Sequence, residues 1–150
     1  MTAWIDRSAL PCPAASPEHY DGVVAKRALA WVVDAALIAA MTLVAVLLTL
    51  GVGLIFLPAV ALVVGGLYRV ATLSGGSATW GMRLMGIELR GPDGHRLSGG
   101  QSVLHVAGYY ASVTFALLPA VASAVAMLAT ERRQGLTDLV LGTAAINRPG

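Results

Sequence analysis

The fold of this chain is decided by one long apolar stretch, residues 28–68, which reads ALAWVVDAALIAAMTLVAVLLTLGVGLIFLPAVALVVGGLY. A single helix needs about 20 apolar residues to cross the hydrocarbon core of a bilayer, and this stretch contains 41. Gly51 and Gly53 lie in its interior, and glycines permit the positive φ angles that a sharp reversal requires. The stretch therefore predicts two membrane-spanning helices, at about residues 28–50 and 54–73, joined by a tight turn.

The composition of the whole chain also favours a membrane protein. Hydrophobic residues make up 57% of the 150 residues and charged residues only 12%, whereas soluble domains carry about 25% charged residues. The mean hydropathy is +0.74. The 17 glycines suit helices that pack closely through small side chains. A net charge of +2 is too small to indicate a nucleic acid partner.

A third apolar stretch, residues 103–129, is interrupted by Pro119. Its 27 residues fit one long, kinked span, and they equally fit a broken pair of helices that enters and leaves by the same face. We therefore predict an all-α membrane bundle of three spans, the third broken at Pro119 or re-entrant. Within this membrane domain (residues 26–147), the short segment 136–141 is amphipathic and residues 143–146 are β-prone.

The remaining segments are polar. Residues 1–25 form a polar N-terminal tail that contains the only cysteine, Cys12, and offers little besides Trp4, Ile5 and Tyr20 for burial. We expect this tail to be mobile or to lie on the surface. In the loop of residues 74–102, apolar side chains flank Pro92-Asp93-Gly94, which predicts two short strands joined by a hairpin turn.

The placement of positive charge predicts the orientation. Lys26 and Arg27 precede the first span, basic residues follow the second, and the turn between the spans carries no charge. By the positive-inside rule, the N-terminus and the polar loop with its β-hairpin are cytoplasmic. A single third span would place Arg132 and Arg133 outside, whereas a broken pair of helices would keep them inside.

Ionisable residues at membrane depth are candidate functional groups, because placing them there costs a few kcal/mol. Asp34 lies 18 residues before Val52 and Arg69 lies 17 residues after it. Two antiparallel helices that reverse at Val52 would therefore hold Asp34 and Arg69 at nearly the same depth. We predict an ion pair between them, which would serve either to set the helix register or to carry ions.

His105 is a further candidate near the start of the third apolar stretch. Imidazole titrates near neutral pH, which suits proton transfer, although an interfacial histidine bonded to backbone explains the position equally well. The chain has no phosphate-binding glycine loop followed by Lys-Ser or Lys-Thr and no metal-ligand spacing of His, Cys or acidic residues. We therefore expect no enzyme activity, no cofactor and no metal site.

Three segments together resemble a known family. They are KRALAWVVD (residues 26–34), SATWGMRLMGI (77–87) and RRQGLTDLVLGT (132–143). In this order they resemble the RDD family of small bacterial membrane proteins, named for one Arg and two Asp, over about residues 22–147. The resemblance implies that Arg27 is the Arg and that Asp34 and Asp138 are the two Asp, in a multi-pass protein of the bacterial cytoplasmic (inner) membrane.

The same resemblance implies a possible transport function. Some members have been proposed as cation/proton antiporters, in which Asp34 and Asp138 would bind the cation or proton. Trp80 and Met82 stand where the family loop usually has Pro and Lys, and Asp138 could equally dock its own segment on Arg83 or Arg27. These departures weaken the transfer of ion chemistry to this chain.

Two functional hypotheses from different classes follow. The first is a small cation/proton transporter, which would act as a homo-oligomer because three helices from one chain rarely enclose a polar path. The second is a non-catalytic membrane subunit or assembly factor that binds a partner membrane protein. Lipid binding by the arginine-rich cytoplasmic face is a third possibility.

Overall fold

A computed structural model describes residues 8–114 and 117–148 of the chain. Within these residues the chain is mostly helical and contains one two-stranded sheet. In chain order the elements are α1 (Val23–Leu48), α2 (Leu57–Gly76), α3 (Trp80–Leu84), β1 (Ile87–Arg90), α4 (Gly99–Thr114), α5 (Leu117–Ala129), α6 (Leu136–Leu141) and β2 (Ala144–Asn147).

Helices α1 and α2 form the predicted hairpin. They pack against each other, and both are long and apolar enough to cross a membrane. The turn between them uses Gly51 at a φ of 86°, and the N–H of Gly53 donates to Oγ1 of Thr49 at 2.9 Å. Both helices extend three to five residues beyond the predicted limits at their polar ends. Helical hydrogen bonding therefore continues past the apolar residues from which the spans were predicted.

The hairpin exposes apolar side chains near its turn. Leu48, Leu50 and Ile55 are 80%, 95% and 75% exposed. Contiguous apolar surface of this kind marks a membrane or a protein interface. The buried core lies at the opposite end, where α1 begins and α2 finishes, which we call the basic end after Lys26 and Arg27. Together these features indicate a membrane protein with its packed core at one end of the hairpin.

Strand β1 pairs with the C-terminal strand β2 and not with a hairpin partner. The pairing is antiparallel, with Ile87 opposite Asn147 and Arg90 opposite Ala144. The predicted hairpin is reduced to a single bridge between Arg90 and Arg96. Pairing with β2 buries Ala144, Ala145 and Ile146, which a hairpin within residues 87–97 would leave without a sheet. The prediction of a strand at the β-prone segment 143–146 is confirmed.

The sheet is covered on both faces. One face packs with residues of α1, α2 and α4, in a cluster that contains Val23, Leu73, Ile87, Leu89, Leu97, Val106 and Ala145. The other face packs with the N-terminal segment, through Leu10, Tyr20, Ala144 and Ile146. Residues 8–22 are therefore docked on the sheet and do not form a loose tail, while Trp4 and Ile5 lie outside the described residues.

The third apolar stretch is divided between two helices. Helix α4 begins at Gly99 and ends at Thr114, and Pro119 lies in the first turn of α5, where a missing N–H costs little. The division therefore precedes Pro119, and residues 115–116 lie outside the described part. Among the described helices, only α1 and α2 meet the length and hydropathy of a span, so a third span is not confirmed.

Candidate functional site

Asp34 lies in α1 and is buried at the junction of three helices. Its Oδ1 accepts hydrogen bonds from the hydroxyl of Tyr68 at 2.6 Å and from the N–H of Gly81 at 2.9 Å. Its Oδ2 accepts a bond from the hydroxyl of Thr79 at 2.6 Å. Tyr68 belongs to α2, Thr79 caps α3 and Gly81 lies within α3. The carboxylate of Asp34 therefore fastens α2 and α3 to α1.

The close approach of α3 to α1 requires a glycine. A β-carbon at Gly81 would collide with the backbone carbonyl oxygen of Ala30 and would lie 2.9 Å from Oδ1 of Asp34. Thr79 prepares this approach, because its hydroxyl also accepts the N–H of Met82 and caps the short helix. The segment 77–87 thus has a steric role at Gly81 and a hydrogen-bonding role at Thr79.

The predicted ion pair between Asp34 and Arg69 is wrong. Among the described residues Arg69 lies within 4 Å of no carboxylate; its guanidinium lies 4.6 Å from the centre of the Tyr109 ring and donates to the Tyr109 hydroxyl at 3.4 Å. Successive helical residues are about 100° apart around the axis. Because α2 turns Tyr68 towards Asp34, it turns Arg69 towards α4. Equal depth was therefore not sufficient to pair the two charges.

Asp138 is fully buried and forms a second charged cluster. Its Oδ2 accepts hydrogen bonds from Nη1 of Arg27 at 2.6 Å and from the N–H of Gly135 at 3.0 Å. Its Oδ1 accepts the hydroxyl of Thr143 at 3.1 Å, and Nδ1 of His105 lies 3.7 Å from the same oxygen. Asp138 therefore docks α6 on Arg27, one of the two arginines considered, and brings in His105 from α4.

The environment of Asp138 favours its charged form. Burial alone would raise the pKa of this carboxyl, but the Arg27 guanidinium, together with His105 and the Gly135 N–H, lowers it further than burial raises it. The net pKa of Asp138 is therefore lowered from its ordinary value. Helix α6 is outside the two candidate spans, so this ion pair belongs to the packed basic end.

A third buried carboxylate, Glu88, was missed in the sequence. Glu88 is 2% exposed on β1 and pairs with Arg90, while Arg96 and Arg148 lie 3.9 and 3.4 Å from its Oε2. The available signal was the spacing of Glu88 and Arg90, which places both side chains on one face of a strand. Reading this strand as part of an exposed hairpin concealed the burial.

These arrangements leave the carboxylates little capacity for a ligand. An ionised carboxylate offers about four lone-pair sites; Asp34 and Asp138 each accept three hydrogen bonds within the protein. Within residues 8–114 and 117–148, no three His, Cys, Asp or Glu side chains come together as a metal-ligand set. The chemistry of the two clusters is therefore internal bonding in the state described.

Comparison with known families supports the sequence resemblance. The model of the RDD family matches residues 22–142, a range that includes Arg27, Asp34 and Asp138. Comparison with the curated proteins and with the solved structures yields no match. The match therefore covers both carboxylate clusters and the two apolar helices that carry or adjoin them.

Proposed function

The chain belongs to the RDD family, and from this premise we propose that it is a non-catalytic membrane subunit that binds a partner membrane protein. In this proposal it spans the bacterial cytoplasmic membrane more than once, with its N-terminus and sheet in the cytoplasm. Arg27, Asp34 and Asp138 hold its basic end together. The observation that carries the proposal is that both Asp side chains are saturated by bonds within the chain.

The bonding of Asp34 supports a structural role. A transported cation needs carboxylate oxygens that can exchange protein donors for the ion. All three donors to Asp34 come from Tyr68, Thr79 and Gly81, which lie in or beside other helices. Binding a cation there would break bonds that hold α2 and α3 in place. The same reasoning applies to Asp138, whose charge is already balanced by Arg27.

An exposed apolar surface supports binding of a partner. A shallow, largely apolar groove lies between α4 and α6, lined by residues that include Leu104, Ala107, Leu136 and Val140. Val140 is 84% exposed, although α6 lies outside the candidate spans. An apolar helix of a partner membrane protein would remove this surface from water.

The orientation rests on charge. Lys26 and Arg27 begin α1, and Arg83, Arg90 and Arg96 follow α2, whereas the turn at residues 49–56 has no charged residue. Positive charge is retained on the cytoplasmic side of bacterial membrane proteins. The basic end and its sheet therefore lie in the cytoplasm in this proposal.

One observation favours the alternative, a cation/proton transporter that acts as a homo-oligomer. Nδ1 of His105 is buried and has no hydrogen-bond partner among the described residues, and it lies 3.7 Å from Oδ1 of Asp138. An imidazole in that position could exchange a proton with the Asp138–Arg27 pair. A transport path would then begin at Asp138 and would not involve Asp34.

Proton flux separates the two functions. The full chain is reconstituted in liposomes, and internal pH is followed after addition of Na⁺, K⁺ or Li⁺, with protein-free liposomes as the baseline. The subunit proposal expects no cation-driven flux above that baseline. In parallel, the chain extracted from native membranes in mild detergent should migrate as a complex with one partner in fixed stoichiometry.

The variants sharpen this test. Cation-driven flux in the wild type that Asp138→Asn or His105→Gln abolishes, with insertion and thermal stability retained, would overturn the subunit proposal in favour of transport. Asp34→Asn is the matched comparison, because the proposal assigns it only a structural role. A chain that migrates alone after extraction would also count against the subunit proposal.

A further inference from the structure

Three helices bring together a cluster of aromatic and cationic side chains, Trp31 from α1, Arg69 from α2 and Tyr109 from α4. The indole N–H of Trp31 donates to the Tyr109 hydroxyl at 2.9 Å, and Nη2 of Arg69 donates to the same oxygen at 3.4 Å. The guanidinium lies 4.6 Å from the centre of the Tyr109 ring and 6.0 Å from that of Tyr110. We call these three residues the Arg69 cluster.

The Arg69 cluster has positive charge and donors but lacks an acceptor. A guanidinium has five N–H donors and no acceptor, and within the described part of the chain no carboxylate lies within 4 Å of Arg69. The Tyr109 oxygen accepts two N–H groups, which leaves its own hydroxyl proton available. An anion placed beside Arg69 would receive hydrogen bonds from both side chains.

The level of the cluster in the membrane points to the source of that anion. Trp31 lies eight residues after Val23 and Arg69 seven residues before Gly76, so each is about 10 to 12 Å from the basic end of its helix. Tryptophan and tyrosine concentrate where headgroups meet hydrocarbon, and Trp31 is 54% exposed. The cluster therefore lies where lipid phosphates and glycerol groups are found.

We propose that Arg69 and Tyr109 bind the phosphate group of an anionic phospholipid in the leaflet at the basic end. Arg69 supplies the charge and N–H donors, Tyr109 supplies its hydroxyl, and Trp31 holds Tyr109 in place and contacts the lipid beside it. An anionic headgroup is preferred over a zwitterionic one because it has no cation of its own to neutralise the phosphate. The proposal requires insertion of α1 and α2 in the membrane but not a protein partner.

Native mass spectrometry of the purified full chain tests this site. The chain is stripped of lipid in detergent and titrated with phosphatidylglycerol, phosphatidylcholine or inorganic phosphate. The wild type should bind one phosphatidylglycerol more tightly than phosphatidylcholine, and Arg69→Gln should weaken the first binding step by about tenfold. Tyr109→Phe, which removes only the hydroxyl, should weaken it by about threefold.

The matched control is Arg96→Gln, which removes the same charge from an arginine that is 63% exposed beside the sheet. It should leave the first binding step unchanged. Equal loss in Arg69→Gln and Arg96→Gln would indicate bulk charge and overturn the site, as would wild-type binding by Arg69→Gln. Displacement of phosphatidylglycerol by excess inorganic phosphate would assign the site to a free anion instead of a lipid. Should Arg69→Gln fail to fold, Tyr109→Phe alone decides.

Discussion

At the scale of single residues, the two family carboxylates are stabilised by different chemistry. Asp34 accepts hydrogen bonds only from neutral groups, two hydroxyls and one backbone N–H. Asp138 instead forms an ion pair with Arg27 and receives further bonds from neutral donors. Substituting either residue should therefore reduce stability, but only the contribution of Asp138 should depend on a charged partner.

Asp34→Asn should lower the apparent Tm by about 5 to 10 °C, because hydrogen bonds to a charged acceptor contribute about 1.5 to 3 kcal/mol. The amide would also place donor hydrogens against existing donors. Thermal unfolding in detergent, followed by the loss of the monodisperse size-exclusion peak, measures the change. Asp21→Asn is the control, since Asp21 is exposed. Equal Tm values for Asp34→Asn and wild type would contradict the clamp.

The pH dependence of stability should report on Asp138. Because its pKa is lowered in the folded chain, the ion pair contributes fully above the unfolded pKa of about 3.9 and is lost as pH falls through the lower folded value. The Tm difference between wild type and Asp138→Asn should therefore be greatest near neutral pH and shrink below about pH 4. Asp21→Asn should differ little from wild type throughout. A difference that grows towards acid would show that the pKa is raised.

At the scale of elements, the contact of α3 with α1 depends on backbone proximity. Gly81 lies against the carbonyl oxygen of Ala30, and its own N–H donates to Asp34. A helix of five residues, Trp80–Leu84, is too short to be stable alone. Its structure therefore depends on the Thr79 cap and on docking against α1.

Gly81→Ala should lower the stability by about 1 to 3 kcal/mol, the usual cost of overpacking, because the added methyl group collides with backbone. Thermal unfolding in detergent measures it. Gly75→Ala is the matched control, since a β-carbon at Gly75 of α2 would meet nothing within 4 Å and should leave the protein as stable or slightly more stable. A Gly81→Ala variant as stable as Gly75→Ala would show that α3 is free to move away from α1.

At the scale of the whole molecule, the chain separates an apolar hairpin from a packed basic end. The hairpin exposes large apolar side chains near its turn, whereas the sheet, α3, α6 and the segment 8–22 bury one another at the other end. In the proposed orientation the packed end is cytoplasmic and the turn at residues 49–56 faces the opposite side.

The only cysteine tests this orientation directly. Cys12 is free and exposed in the segment that covers the sheet, so a membrane-impermeant maleimide should label it in inverted membrane vesicles but not in intact cells. In a Cys12→Ser background, Val52→Cys at the turn, where Val52 is 59% exposed, should show the reverse pattern. Labelling of Cys12 from outside intact cells would contradict the cytoplasmic N-terminus.

The sequence by itself determined the hairpin, because a run of 41 apolar residues with central glycines has few other structures open to it in a membrane protein. It also determined which residues belong to the family pattern, including Arg27, Asp34 and Asp138. Local composition was sufficient for these features because span length and turn chemistry are properties of a short stretch of chain.

Only the tertiary structure decided the partners. Asp34 bonds to Tyr68 and not to Arg69 because side-chain direction around α2, and not depth alone, sets the contact. Strand β1 pairs with β2, about 57 residues further along the chain, because that pairing buries both faces of the sheet. Contacts of this kind join distant segments and depend on the whole packing, so no single stretch of sequence contains them.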